Sequence, residues 1–320
     1  MKRYAVGADL GGTNIKFVII DETGKVIDYY ESTSQADKGR KVILHNLISG
    51  IKYLLNKNKK LNIVGIGVGT PGLVNAAGKV VTGAGNLTGW NGTRIRFAIQ
   101  KVINLPIFVD NDVTALALGE AIFGAGKGYN NVICVALGTG LGGGIIINQK
   151  IYRGKYRYAA EFGHIVVNPK GAPCSCGKNG CLETYASAWG LKRLAKQQLK
   201  NNKNSLILKF AQNNLENITP KIIFDAYLKG DKIADRILNE MGYYLGLGLS
   251  ILVNIFDPDV IIIAGGISRA GKPLLELIYK YIYQHSLPFY EGKIKIKLSK
   301  FKHKAGAIGS ASLVFENLGR

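Results

Sequence analysis

This sequence of 320 residues is poor in cysteine, proline and acidic side chains, with 4 Cys, 8 Pro and 21 Asp plus Glu. So few cysteines in a chain of this length exclude a disulfide-dense secreted scaffold. The longest uncharged stretch, residues 129–149, contains five glycines and is not the continuous apolar helix of ~20 residues that spans a bilayer. The first apolar run ends at Asp9, too soon for a signal peptide. We therefore expect a cytoplasmic protein without membrane contact.

Basic residues are abundant instead. The 42 Lys plus Arg give a net charge of +21, which is compatible with a nucleic-acid binder, an enzyme for anionic substrates or a lysine-rich background. The basic runs at 57–60, 192–203 and 293–304 are dispersed and contain few aromatic residues, so they match no nucleic-acid-binding module. With 47% hydrophobic residues and no long polar tract, the chain is expected to fold throughout.

Short β-rich segments alternate with helical patterns along the chain and predict an α/β fold. A strand, a glycine turn and a second strand occur twice, at DLGGTN (9–14) and at LGTGLGGG (137–144). This weak internal repeat, together with the length, predicts two similar α/β domains with a boundary near Asp112. No linker rich in proline or serine separates them, so we expect the domains to pack around a cleft.

The glycine turns are candidate phosphate-binding loops. Residues 138–143 read G-x-G-x-x-G, but the β-branched run Ile145–Ile147 favours a strand, whereas a dinucleotide-binding loop opens a helix. The segment GAGKGY (124–129) lacks the Ser or Thr of a Walker A motif. Backbone N–H groups of glycine hairpins can still hold phosphate. Tight hairpins without a ligand remain the alternative.

We predict that three turns bind a nucleotide. A carboxylate in the first turn is placed to hold Mg²⁺, a lysine just past it adds charge, and the third turn is expected at the adenosine end. The predicted residues are Asp9, Gly11, Gly12, Thr13, Asn14, Lys16, Gly138, Thr139, Gly140, Gly265 and Gly266.

A metal-binding pattern, H-x9-C-x-C-x4-C, is formed by His164, Cys174, Cys176 and Cys181. Tetrahedral Zn²⁺ takes four nitrogen or sulfur ligands, so the protein would fill every position and the zinc would be structural. Free thiols with a surface histidine are the alternative. Cys134 lies in a predicted strand and is expected in the core.

Seven motifs together resemble the ROK family of sugar kinases and transcriptional repressors, and within it the bacterial glucokinases. They occur in order at the expected spacings, from residue 9 to about 268, and the cysteine-rich block is the most specific of them. The motifs are DLGGTN (9–14), GTPG (69–72), GNLTGW (85–90), VDNDVTALALGE (109–120), LGTGLGGG (137–144), EFGH (161–164) and CSCGKNGCLE (174–183).

The resemblance implies two ribonuclease-H-like domains of the actin/hexokinase/Hsp70 superfamily, with ATP and sugar in the cleft between them. It also implies that the last helix returns to the first domain. We therefore expect a smaller domain of residues 1–112 plus about 303–320, and a larger domain of residues 113–302 that carries the zinc loop. Family members are commonly dimers or tetramers, so a homodimer or homotetramer is expected.

The activity implied by the resemblance is transfer of the ATP γ-phosphoryl group to the 6-hydroxyl of a hexose, with glucose preferred. Asp112 would be the general base, because a carboxylate beside a sugar hydroxyl can accept its proton. The residues expected to bind the sugar are Gly69, Asn86, Asn111, Asp112, Glu161, His164 and Glu183. Relatives often read Asn-Asp-Ala-Asn where this chain has residues 111–114 as Asn-Asp-Val-Thr, a difference that bears on local packing and sugar preference.

Other functions remain open at this point. An N-acetylhexosamine kinase or another hexokinase of the same family would carry the same motifs, and polyphosphate could replace ATP as the donor. A sugar-responsive repressor is disfavoured because only eight residues precede Asp9, which leaves no room for a helix-turn-helix domain. A purely sugar-binding protein would leave both glycine loops unexplained.

Overall fold

A computed structural model describes residues 1–200, 202 and 204–319. Lys203 of the basic run and Arg320 of the predicted first domain lie outside these residues. Within the described residues no helix combines the length and the apolar character needed to cross a membrane.

Twelve strands and ten α-helices make up the described part of the chain. The strands are β1 Tyr4–Leu10, β2 Asn14–Asp21, β3 Val26–Thr33, β4 Ile63–Thr70, β5 Leu73–Val74, β6 Val80–Thr82, β7 Ile107–Asn111, β8 Val132–Leu137, β9 Leu141–Ile147, β10 Lys150–Ile151, β11 Val260–Ala264 and β12 Ile296–Leu298. The helices are α1 Arg40–Lys57, α2 Ile95–Gln100, α3 Asp112–Phe123, α4 Glu183–Ala186, α5 Ala188–Leu199, α6 Leu206–Phe210, α7 Pro220–Leu228, α8 Lys232–Phe256, α9 Lys272–His285 and α10 Ala305–Leu318.

Two compact units divide the chain differently from the predicted boundary at Asp112. The first unit contains residues 1–132 and 144–160 and the chain from Ser299 onward, and the second contains residues 133–143 and 161–298. Residues 113–132 therefore join the first unit instead of the second. The physical reason is the packing of α3 on α10, where a Cβ on Gly119 would lie 2.7 Å from the Gly309 Cα atom. The final helix α10 belongs to the first unit.

The first unit contains a five-stranded sheet with the order β3-β2-β1-β4-β7. Strands β1, β4 and β7 are parallel, whereas β1, β2 and β3 form antiparallel hairpins. Apolar residues of these strands and of α1 form its core, with Phe17, Ile19 and Leu47 fully buried. Because parallel strands end at the same edge of a sheet, the ends of β1, β4 and β7 share one edge.

Glycines allow the final helix to lie directly on this sheet. A Cβ on Gly7 in β1 would lie 2.0 Å from the Ala307 carbonyl oxygen, and one on Gly67 in β4 would lie 1.7 Å from that of Ser310. No side chain fits between these backbones. The glycines of β1 and β4 therefore determine how closely α10 approaches the sheet.

The second sheet has the order β10-β9-β8-β11-β12, and helices α4 to α9 belong to the second unit. The glycines at 138–143 lead into strand β9, as the β-branched residues after them predicted. A helix does not open there, so the dinucleotide-binding interpretation is wrong. Short elements such as β5, β6 and α2 were not predicted, because two to six residues show too little periodicity.

Candidate functional site

The shared edge of the first sheet brings together several predicted residues from distant parts of the sequence. Asp9 pairs with Gly69 in the register of β1 and β4, and Gly69 pairs with Asp110 in the register of β4 and β7. Asn111 ends β7, and Asp112 begins α3. A Cβ on Gly69 would lie 2.7 Å from the Ser310 Oγ atom, which accounts for glycine at that position.

Asn111 positions Asp112 by capping α3. Its Oδ1 atom accepts hydrogen bonds from the backbone N–H groups of Val113 at 3.0 Å and Thr114 at 3.1 Å. Its Nδ2 atom donates to the Gly72 carbonyl oxygen at 3.2 Å. Such a cap fixes the start of a helix, so Asn111 sets the direction in which the first helical residue presents its carboxylate. Its predicted contact with sugar stays a prediction.

Asp9 and Asp112 form a pair of carboxyl groups that both titrate abnormally. Loss of hydration, together with the charge of Asp112 and against the opposing charge of Lys16, raises the pKa of Asp9 to about 7. Burial also raises the pKa of Asp112, against hydrogen bonds that include one from the Val113 N–H group at 2.9 Å. Two acids that share one desolvated region favour a cation beside them. This electrostatic situation fits the predicted role of Asp9 in holding Mg²⁺.

The first glycine loop is held in shape by Asn14 at the start of β2 and by Ser34, which follows β3. Gly11 donates its N–H to the Asn14 carbonyl oxygen at 2.9 Å, which closes the turn. Ser34 donates its hydroxyl to the Gly12 carbonyl oxygen at 2.8 Å and its N–H to that of Thr13 at 2.9 Å. A Cβ on Gly12 would lie 3.4 Å from the Asn86 Nδ2 atom, so Asn86 lies next to this loop. The loop and one predicted sugar-binding residue are thus adjacent.

The second glycine loop joins the start of α5 and the residue Glu183. Gly138 donates its N–H to the Gly140 carbonyl oxygen at 2.9 Å, and its own carbonyl accepts from the Ala188 N–H at 2.9 Å. The Glu183 Oε2 atom accepts from the Leu141 N–H at 2.8 Å and would lie 2.4 Å from a Cβ on Gly140. Glu183, predicted to contact sugar, is therefore also a structural support of the second glycine loop. Sequence spacing did not indicate this second role.

Next to this loop lies a cavity of about 720 Å³ within the second unit. Gly138 and Thr139 line one side, and Gly266 lies with Ile267 on another. Gly265 has φ +85°, and a Cβ there would lie 2.4 Å from the Leu137 carbonyl oxygen, so this turn requires glycine.

Helix α7 supplies further lining residues that the sequence analysis missed. Phe224 and Leu228 of α7 present apolar surface to the cavity. Arg269, which follows β11 in the chain, adds a positive charge. An apolar cavity with a phosphate-type glycine loop at its edge suits a flat heterocycle that carries phosphates. These residues belong to no sequence motif, because α7 is distant in sequence from the glycine turns and lines the same cavity only after folding.

The four predicted zinc ligands converge. The ligand atoms of His164, Cys174, Cys176 and Cys181 all lie within 4.8 Å of one another. The distance from Cys174 Sγ to His164 Nδ1 is 3.6 Å, and that from Cys176 Sγ to Cys181 Sγ is also 3.6 Å. Tetrahedral zinc with ordinary Zn–S and Zn–N bonds requires separations of about 3.6 to 3.8 Å between ligand atoms. The donor set and its spacing therefore fit structural Zn²⁺.

His164 uses one ring nitrogen in this cluster and presents the other elsewhere. Its Nδ1 atom lies toward Cys174, whereas its Nε2 atom lies 3.9 Å from the Glu161 Oε2 atom. The Glu161 side chain is 48% exposed, which leaves its carboxylate accessible to a ligand. A metal bound at the four ligands would fix the imidazole ring and the acid beside it.

Comparison with known proteins is consistent with this arrangement. The sequence profile described as ROK family matches residues 5–317. A glucokinase of Halalkalibacterium halodurans is 36% identical over 316 residues, which cover 98% of this chain and 95% of the relative. A xylose repressor of Caldicellulosiruptor bescii is 32% identical over 98% of this chain and 78% of its own length.

The structural comparison confirms the predicted fold class. A crystal structure of a ROK family glucokinase from Streptomyces griseus in complex with glucose and AMPPNP has a TM-score of 0.82 and 33% sequence identity. The match covers 97% of this chain and 98% of that one.

We predict that Cys176→Ser removes bound zinc and lowers the free energy of unfolding by at least about 2 kcal/mol, because metal binding to such a cluster contributes directly to folding. Cys176 is exposed, so the substitution alone leaves no cavity in the core. Metal content by mass spectrometry and thermal unfolding measure both effects. Cys134→Ala, outside the cluster, serves as the control and should keep its zinc; equal metal content in the Cys176 variant would refute the ligand set.

We predict that Asp9→Asn stabilises the ligand-free protein at pH 8. The pKa of Asp9 is about 7 in the folded state and 3.8 in the reference state, so its contribution to stability is lost as pH rises between these values. Removing the ionisable group should raise the free energy of unfolding on the order of 1 kcal/mol at pH 8 and leave it nearly unchanged at pH 4.

The matched control for this prediction is Asp28→Asn. Against a desolvation effect, hydrogen bonds from Asn58 and Lys57 lower the pKa of Asp28, so this substitution should destabilise the protein at pH 8. Chemical denaturation at both pH values gives the comparison. A destabilised Asp9 variant at pH 8 would contradict the account of the carboxylate pair.

Proposed function

This chain belongs to the ROK family, and from that membership together with the carboxylate pair we propose that it is an ATP-dependent hexose kinase that converts glucose to glucose 6-phosphate. The observation that carries the proposal is the meeting of Asp9 and Asp112 at one edge of the first sheet, beside a glycine hairpin of phosphate-binding type. Glucokinases that match nearly the whole chain support the reaction and the substrate.

Asp112 is the general base of this reaction. Burial raises the pKa of the Asp112 carboxyl group, which makes it a more effective proton acceptor than an ordinary surface aspartate. It takes the proton from the sugar 6-hydroxyl as that oxygen attacks the γ-phosphorus of ATP and the bond to the β-phosphate oxygen breaks. The cap on α3 supports this role, because Asn111 holds the carboxylate in one orientation.

The nucleotide is assigned to the two glycine hairpins and to the cavity beside α7. The backbone of residues 138–140 holds phosphate oxygens, and the apolar side chains of Phe224 and Leu228 contact the base. The first glycine hairpin, with Gly11 and Gly12, is a second loop of phosphate-binding type. Arg269 adds attraction for the negatively charged nucleotide.

Magnesium is assigned to Asp9. When bound with the nucleotide, Mg²⁺ neutralises charge on the phosphate oxygens that are transferred and released. Lys16 lies opposite Asp9 in the β1–β2 hairpin and balances part of the same carboxylate charge. The first unit therefore contributes the base and the residue that holds the cation.

The hexose is assigned to the polar residues that the family resemblance implies. They are Glu161, His164, Glu183, Gly69, Asn86 and Asn111. The zinc cluster would act on the sugar indirectly: His164 binds metal through Nδ1 and leaves Nε2 for a hydroxyl group, next to the Glu161 carboxylate. Because all four ligands are supplied by protein, the zinc has no open position for the reacting atoms.

Two alternatives lie within the same family. A kinase specific for an N-acetylhexosamine would use the same base and phosphate loops but would need room at the sugar C2 position. A sugar-responsive repressor is supported by the 32% identity to a xylose repressor, which this chain matches over 78% of that protein's length. The raised pKa values at Asp9 and Asp112 favour catalysis, since sugar binding alone requires no general base.

We predict that Asp112→Asn lowers kcat by about 10²- to 10⁴-fold, because the amide cannot accept the hydroxyl proton. Thermal unfolding should show an intact fold, and glucose should still bind, as measured by calorimetry. Asp235→Asn, on an exposed position of α8, is the control and should retain wild-type turnover. Near-normal activity of the Asp112 variant would remove this residue as the base.

We predict that kcat/KM, measured by ADP release, is highest for glucose among glucose, N-acetylglucosamine, N-acetylmannosamine, mannose, fructose and allose. The same assays with polyphosphate in place of ATP test the donor. Much greater efficiency with an N-acetylhexosamine would overturn the choice of sugar while leaving the kinase assignment in place.

A further inference from the structure

A cavity of about 430 Å³ in the first unit contains three arginines that the kinase reaction does not use. Arg96 lies on α2, whereas Arg153 and Arg157 follow β10. One wall is strand β7, including Asp110, which lies two residues before Asp112. The cavity therefore borders the strand that leads to the proposed base without including the base itself.

Two carboxylates neutralise part of this positive charge. Arg153 donates from Nε to Asp110 Oδ2 at 2.7 Å and from Nη2 to Glu316 Oε2 at 2.7 Å. Arg157 donates from Nη2 to the same Asp110 oxygen at 2.8 Å and from Nε to the Val74 carbonyl oxygen at 3.2 Å. Three guanidinium groups thus face two carboxylates, so one positive charge remains in excess.

Arg96 carries that excess charge. Its Nε atom is buried and has no hydrogen-bond partner within the described residues. Burial lowers the pKa of Arg96, and the nearby charge of Arg157 lowers it further. A desolvated donor without an acceptor, next to a second cation, is an unfavourable arrangement unless an anion is present.

The backbone supports the same interpretation. Gly78 has φ +70°, and a Cβ there would lie 2.8 Å from the Arg96 Cβ atom, so glycine makes room for this arginine. Arg157 has φ +63°, a conformation that non-glycine residues rarely adopt. The glycine at position 78 and the positive φ of Arg157 allow the guanidinium groups of Arg96 and Arg157 to line the same cavity.

We propose that Arg96 and Arg157 bind a phosphate-type dianion in this cavity. Planar guanidinium groups match the oxygen geometry of phosphate and form strong charge-assisted hydrogen bonds with it. The anion would supply the missing acceptor for Arg96 and screen its repulsion from Arg157. The ligand chemistry is a phosphate group, from either inorganic phosphate or a phosphomonoester such as a sugar phosphate.

The test compares the effect of inorganic phosphate on four proteins: wild type, Arg96→Gln, Arg157→Gly and the control Arg94→Gln. Arg94 is an exposed arginine two residues from Arg96, so its variant removes the same charge outside the cavity. Glycine at 157 suits the positive φ and preserves the fold. Binding is measured by ³¹P NMR titration and thermal unfolding, against chloride at equal ionic strength.

We expect phosphate affinity to fall at least tenfold in Arg96→Gln and Arg157→Gly and to stay within twofold of wild type in Arg94→Gln. Without phosphate, Arg96→Gln should unfold at a higher temperature than wild type, since it removes a positive charge that lies near Arg157 and whose buried Nε donor has no acceptor within the described residues. Unchanged phosphate affinity in Arg96→Gln would overturn the proposal, because the ion would then bind only at the nucleotide loops. Wild-type protein that binds phosphate no better than chloride would also overturn it.

A parallel titration with glucose 6-phosphate identifies the source of the phosphate group. Tighter binding of the sugar phosphate, lost in Arg96→Gln, assigns a phosphomonoester, whereas comparable affinities assign the free ion. Neither measurement requires turnover, so the result is independent of whether the proposed kinase activity is correct.

Discussion

Direct backbone contact between α10 and the first sheet is the constraint on which the rest of the first unit depends. Gly7 and Gly67 leave no side chain between β1, β4 and the helix, and Gly309 allows α3 to pack on the opposite side of the same helix. At the start of α10, a Cβ on Gly306 would lie only 2.3 Å from the Asp9 carboxylate. The helix closest to Asp9 is therefore held in position by residues that have no side chain.

This packing explains why two partly buried acids can be kept near each other. Asp9 ends up beside the start of α10 and Asp112 at the start of α3, where the positive end of a helix dipole favours a carboxylate. The helix dipoles do not fully offset the loss of hydration of the two carboxylates, since the pKa values of both groups remain raised. Two nearby carboxylates repel each other when no cation is bound, and the same arrangement suits a bound cation and a general base. The second unit contains the cluster of four candidate zinc ligands, which lies close to Glu161.

Local patterns in the sequence predicted the fold class and the convergence of the four candidate zinc ligands. The β-branched run Ile145–Ile147 correctly indicated a strand after the second glycine loop, and the spacing of cysteines predicted a cluster that the fold brings together. The division into units differed, because the contact between Gly119 and Gly309 joins segments far apart in sequence. The cavity at Arg96 was missed for the same reason: Arg96 lies more than fifty residues before Arg153 and Arg157. The net charge of +21 did not by itself indicate a function. Only the folded structure shows which basic residues line a cavity.

The reaction proposed for this chain transfers the γ-phosphoryl group of ATP to the 6-hydroxyl group of glucose. The most direct measurement is ³¹P and ¹H NMR of the products formed by purified protein with glucose, ATP and Mg²⁺. We expect ADP and glucose 6-phosphate in equal amounts, with phosphorus coupled to the protons on C6. Release of inorganic phosphate without a sugar phosphate, or phosphorylation at another hydroxyl, would contradict the account.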